Sequence, residues 1–164
     1  MNKLDVKKWP IAPNIYGDDP DDTNALRDMY HDAMSYIRKF NWFLGEKNTY
    51  FAFGIGNVVA LFCVELLEPI GKDKYIWVVV GDIPSAYFVT DDANDASSAL
   101  EVYCELMDNW STSILNHKSM EDVFPIDVDE NEYNAKLLIK KINFIKHDII
   151  PSIINDLTDR NTLH

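Results

Sequence analysis

The chain has 164 residues, 47% of them hydrophobic, with eight Phe, eight Tyr and four Trp, and a formal net charge of −12. That apolar content excludes a disordered acidic tail, which cannot bury enough surface to offset chain entropy, and the length suits one globular domain over 1–164. The charge is regional, since residues 82–132 hold thirteen acids and one base, Lys118; such a field repels nucleic acid and membrane surfaces and draws in basic partners.

Residues 1–21 read as an irregular N-terminal arm, in which Pro10, Pro13, Gly17 and Pro20 alternate with Asp18, Asp19 and Asp21. Asp22 or Thr23 is the expected cap of a first helix. Leu26, Tyr30, Ala33, Ile37, Phe40 and Leu44 then follow the four-three spacing of an amphipathic stripe, with Gly45 as its stop. From Tyr50 the period changes. Tyr50–Phe53, Val58–Leu67, Tyr75–Val80 and Ala86–Thr90 are rich in β-branched and aromatic residues and joined by short turns, which predicts an antiparallel meander over about 50–90. Trp77 and Val79 should share one sheet face and Ile76, Val78 and Val80 the other. Both faces are apolar, so both should be covered.

Beyond Asp91, Leu100, Tyr103, Met107, Trp110 and Ile114 mark a second helix, capped by Asp92 or Asp95. A third begins near Glu130, with Ala135, Leu138, Ile142, Ile145 and Ile149 on one face; Pro151 should kink or end it, leaving a short last turn over Ile153–Leu157. The predicted class is α+β, a three- to four-stranded antiparallel meander with about three main helices.

The longest apolar run, Val58–Val64, is far short of the ~20 residues that cross a bilayer. The start of the chain has early Lys residues but no apolar stretch behind them, so a cytoplasmic protein without a secretory signal is expected. Cys63 and Cys104 match no zinc or redox spacing and read as buried free thiols.

The sequence offers little catalytic chemistry. His31, His117, His147 and His164 are scattered without metal-ligand neighbours, and His164 should fray. Gly54-Ile55-Gly56 lacks the third glycine and the following helix of a nucleotide loop, and instead suggests a bulge or a close backbone approach. Asp127–Asn131 imitates the start of a calcium loop but has Glu132 where glycine is needed and Leu138 where a bidentate carboxylate is needed, so these acids should bias a helix N-terminus. Asp18–Asp22 reads as a solvated charge run. No metal, cofactor or enzymatic activity is expected. A dispersed active site would have to draw on Asp82, Tyr87 and His31 or His117. The aromatic-rich sheet could alternatively serve a homo-oligomeric scaffold or regulatory module.

Glu101, Glu105 and Asp108 carry more information. Their spacings of four and three place them on one helical face, away from the apolar stripe. Like charges so spaced cost a few tenths of a kcal/mol, roughly, unless neutralised, and the segment from Asp91 to His117 contains no Lys or Arg. With Asp91, Asp92 and Asp95 at the helix's approach, they form the candidate partner-binding set.

The segment Ile76-Trp77-Val78-Val79-Val80-Gly81-Asp82-Ile83-Pro84-Ser85-Ala86-Tyr87-Phe88-Val89-Thr90-Asp91 is followed by Ala99-Leu100-Glu101, Met107-Asp108-Asn109-Trp110 and Phe124-Pro125-Ile126. In these residues the chain resembles a family of small acidic bacterial proteins without assigned activity, the likeness running from about Gly54 to Pro151. In size and acidity it is also similar to immunity proteins, which neutralise a bacterial toxin. That likeness implies binding of a basic toxin domain, such as a nuclease that presents Lys and Arg to phosphates, by an acidic surface steered to it at high rate.

Overall fold

The computed structural model describes residues 3–162, with side chains as far as Asp156. The chain is α+β, and it divides after Asp95 into two compact units, the first mixed and the second helical.

In the first unit, four antiparallel strands lie side by side in sequence order: β1 (Glu46–Ile55), β2 (Val59–Ile70), β3 (Asp73–Gly81) and β4 (Ala86–Val89). This is the expected meander, with β1 starting four residues before the Tyr50 read from composition. The turns are local. The Val58 N–H donates to the Ile55 carbonyl at 3.0 Å, with Asn57 at φ 65, a left-handed conformation that Asn tolerates. Opposite residues include Phe62 with Val78, Val64 with Ile76, and Cys63 with Trp77.

The alternation sorts the strands as predicted. Ala60, Phe62, Val64, Ile76, Val78 and Val80 belong to the same buried cluster as Leu26, Met29, Ala33, Met34 and Ile37 of α1 (Pro20–Ile37). Leu61, Cys63, Trp77 and Val79, on the other side of the pleat, are also buried. The Trp77 indole N–H donates to the Ala93 carbonyl at 2.9 Å, and the Trp9 ring meets Trp77 edge-on at 5.4 Å.

α1 differs from expectation at both ends. Its cap is Asp19, whose carboxylate accepts from the Asp22 N–H at 2.8 Å, and Pro20 occupies the first turn, where its missing N–H costs nothing. Asp22 and Thr23 sit inside the helix and bind backbone elsewhere: Asp22 accepts from Asp18 N–H and Gly56 N–H, Thr23 Oγ1 from Gly17 N–H. The acidic run is therefore partly structural. At the other end the helix stops at Ile37. The backbone tightens into three-residue turns, with Phe40 N–H bonded to Ile37 and Phe43 N–H to Phe40. Phe40 thereby stacks on Trp42 at 5.6 Å and meets Tyr87 edge-on at 4.8 Å, while Leu44 is exposed. Such ring pairs contribute about 0.5–1.5 kcal/mol beyond their area.

Two polar ties fix α1 and the arm to β1. Tyr30 Oη donates to Glu46 Oε1 at 2.8 Å, Thr49 donates to the other oxygen, and burial followed by the Glu46 carboxylate pushes the phenol up to about 12. The arm forms two 3-10 turns, Val6–Lys8 and Ala12–Asn14. Beside them Ile11 bridges Tyr50 and the Phe51 N–H donates to the Pro10 carbonyl at 2.8 Å, so the arm lies along the edge strand β1.

The second unit begins with α2 (Ala96–Leu115), which packs on α3 (Glu132–Phe144), a π turn (Ile145–Ile149) and α4 (Ile150–Thr162). Asn131 caps α3, accepting from the Asn134 N–H at 2.8 Å, and Asn134 in turn donates to the Asp129 carbonyl. Ala135, Leu138, Ile142, Ile145 and Ile149 are buried as predicted, and Ile153 is buried as well. Pro151 neither ends the helix nor leaves only a short turn after it. Proline removes one i→i−4 bond and crowds the carbonyl of residue i−4. The Ile150 N–H bonds to Ile145, the longer π spacing, and the helix continues past the proline. His164 lies outside the described residues.

Candidate partner-binding surface

α2 sets the geometry of the candidate set. Its buried side comprises Ala99, Leu100, Tyr103, Cys104, Met107, Trp110 and Ser111, which leaves Glu101, Glu105, Asn109 and Thr112 as its exposed row, with Ile114 half-buried. Glu101 and Glu105 are thus adjacent on the outer face. Among the described residues, no ion pair joins either to a cation.

Asp108 is different. It stands at the margin of that face, half-buried, and accepts from the Lys146 ammonium of the π turn. Spacing alone grouped it with the two glutamates, whereas its charge is neutralised from 38 residues away. Nothing local to α2 signals this partner. The Cys104 thiol on the buried side is pushed up to about 12, mainly by burial, which marks that side as apolar.

The three approach aspartates fall in the first unit. Asp91 is exposed with Lys72 3.9 Å away, Asp92 is exposed, and Asp95, directly before the first residue of α2, is half-buried and makes an interaction of its own. Of the six candidates, Glu101, Glu105 and Asp92 are exposed carboxylates for which no partner is found among the described residues.

The residues considered for a dispersed active site are spread over both units. His31 is exposed on α1 with its ring 5.4 Å from Tyr30. Tyr87 belongs to the ring cluster of Tyr36, Phe40 and Trp42, and Asp82 follows β3, its N–H donating to Val58. His117 sits after α2 at φ 53, on a cleft of about 520 Å3 lined by Ser113, Lys118, Met120, Glu130 and Glu132 among others; Asp82 is not on it. Among the described residues no three His, Cys, Asp or Glu side chains group as a metal site. The Gly54 and Gly56 positions are close approaches: a Cβ on Gly54 would meet Leu26 at 2.6 Å, and one on Gly56 would meet Asp22 Oδ1 at 2.5 Å. A side chain at Gly54 would have to displace the Leu26 and Phe51 side chains, and one at Gly56 the Asp22 carboxylate.

In β2 and β3, residues 59–64 and 76–80 are buried on both sides of the pleat. No described helix is long and apolar enough to cross a membrane.

Comparison with protein-family models, with curated proteins and with solved structures yields no match.

Proposed function

We propose that the protein is an inhibitor of the immunity type, a cytoplasmic protein that binds a basic toxin domain such as a nuclease and covers its substrate groove. The observation that carries this reading is the pair Glu101 and Glu105, exposed on a twenty-residue helix that contains no Lys, Arg or His. A helix tolerates adjacent like charges at small cost, but a solvated face usually mixes in the opposite sign. Uncompensated carboxylates one turn apart match the Lys and Arg that a nuclease presents to phosphates. Asp92 adds to the acidic character of the chain. Asp108 does not belong to the recognition pair, because Lys146 already neutralises it.

The test uses stopped-flow association with a basic toxin domain that co-purifies with this chain. The double variant Glu101→Lys/Glu105→Lys should associate about tenfold or more slowly at low ionic strength, and its rate should converge on that of the wild type as salt screens the encounter. Equal rates at every ionic strength would remove α2 as the recognition element.

A further inference from the structure

α3 is apolar on two sides. Opposite its buried row, Tyr133, Leu137 and Phe144 are 75%, 39% and 49% exposed. With Lys140 they follow spacings of four, three and four, a continuous stripe of the kind that seats a second helix. Lys136 flanks the stripe, bonded at 2.6 Å to Glu132 one turn earlier. From Tyr133 to His147 the sequence has four lysines and no acid, in a protein of net charge −12.

We infer that the outer face of α3, formed by Tyr133, Leu137, Lys140 and Phe144, docks an acidic amphipathic helix of another protein. Lys140 decides the partner's chemistry. It lies in the middle of the apolar row, and among the described residues no ion pair engages it. Covering the row removes water from this ammonium, and a desolvated charge without a counter-charge is strongly unfavourable. The partner must therefore place a carboxylate opposite Lys140 and apolar residues one turn to either side. A single ionic position within an apolar seam also sets register.

Among the described residues, α1 and α2 of a second copy do not supply that complement. The outer face of α2 is Glu101, Glu105, Asn109 and Thr112, and that of α1 includes Asp21, Asp28, His31, Asp32 and Ser35; both are acidic but carry no exposed large apolar side chain. Two α3 faces set against each other would bring lysines together. The docking face shares no residue with the Glu101/Glu105 pair, so it stands or falls independently of the toxin-binding reading.

The probe is a fluorescein-labelled peptide of three heptads with Leu at the a and d positions and Glu at e and g, titrated with the full chain and read by anisotropy. Micromolar binding is expected, at least about tenfold weaker with Lys140→Glu, with Tyr133→Ser/Phe144→Ser, and with a control peptide bearing Lys at e and g. Circular dichroism checks each variant, and if the double variant is unfolded, Lys140→Glu decides alone. Absence of binding at about 1 mM protein, or equal affinity for both peptides, overturns the inference. A dimer in sedimentation velocity that Phe144→Ser dissolves would assign the face to a second copy. Co-sedimentation with phosphatidylserine vesicles that Lys140→Glu abolishes would assign it to a membrane surface. Either result overturns the acidic helix.

Discussion

The inner sides of α2 and α3 are alike, and their outer sides are opposites. Leu100, Tyr103, Met107 and Trp110 on one helix and Ala135, Leu138 and Ile142 on the other are buried to within a few per cent. Outward, α2 shows carboxylates without apolar groups, while α3 shows Tyr133, Leu137 and Phe144 around a lysine. Folding requires only that the inner sides be apolar and well packed. Whatever distinguishes the outer sides is then free of that demand, and it is there that two helices of one unit differ in charge and polarity.

Four measurements can break or sharpen this contrast. The largest effect belongs to the inner sides: Trp110→Ala should lower the unfolding free energy by about 3–5 kcal/mol and Ile142→Ala by about 2–5 kcal/mol. Urea denaturation showing less than about 1 kcal/mol for either would end the claim that both helices are anchored alike. Next comes the ion pair between α2 and the π turn. Lys146→Ala leaves the half-buried Asp108 carboxylate unpaired and should cost about 1–2 kcal/mol, between the values for exposed and fully buried pairs. Asp108→Asn in the same background should recover part of it. A double-mutant coupling of zero would return Asp108 to the exposed face with Glu101 and Glu105.

A smaller effect tests the apolar side of α2 by pH. Burial pushes the thiols of Cys104 and, in the first unit, Cys63 up to about 12, whereas an unfolded thiol ionises near 8.5. The native state thus holds its protons longer. Its stability is complete below about pH 8.5 and declines as pH rises toward 12, by about 1 kcal/mol per thiol near pH 9. Replacing both cysteines by Ala should flatten the denaturation midpoint between pH 8.5 and 10, before the tyrosines contribute. An unchanged slope would show that neither site is apolar. The smallest effect is on the outer sides, where Glu101→Lys/Glu105→Lys and Tyr133→Ser/Phe144→Ser should each shift stability by no more than about 0.5 kcal/mol. A loss above about 2 kcal/mol would mean that the face in question serves the fold.

Much of the fold was legible because it obeys local rules. The β-branched runs at Val58–Leu67 and Tyr75–Val80 specify strands wherever they are placed, and the Ala135–Ile149 stripe repeats at the helical period. Legibility failed where a distant group decided the outcome. Lys146 claims Asp108 across the second unit, and Phe40 kept helical spacing in the sequence while Trp42 and Tyr87 drew its ring into a cluster beyond the helix. Two signals were present and passed over. Pro20 directly after Asp19 marks a helix start, and the four-three-four spacing of Tyr133, Leu137, Lys140 and Phe144 was hidden behind the stronger buried stripe of the same helix. Of the candidate site, the Glu101/Glu105 pair was readable; its neutralised neighbour was not.

The π turn gives the α3 stripe a ruler. An α-helix advances its side chains by about 100° per residue, and a π turn inserts an extra residue into that count, so the row ending at Phe144 is rotated out of line when the helix resumes at Ile150. A straight partner laid along Tyr133 would lose contact after Phe144, having followed about 17 Å of helix at ~1.5 Å per residue. Pro151 maintains that break, since a regular helix there would need the N–H it lacks. A helix docked as inferred above would accordingly be read over about three turns and no more, which separates a short linear epitope from the open-ended seam of a long coiled coil.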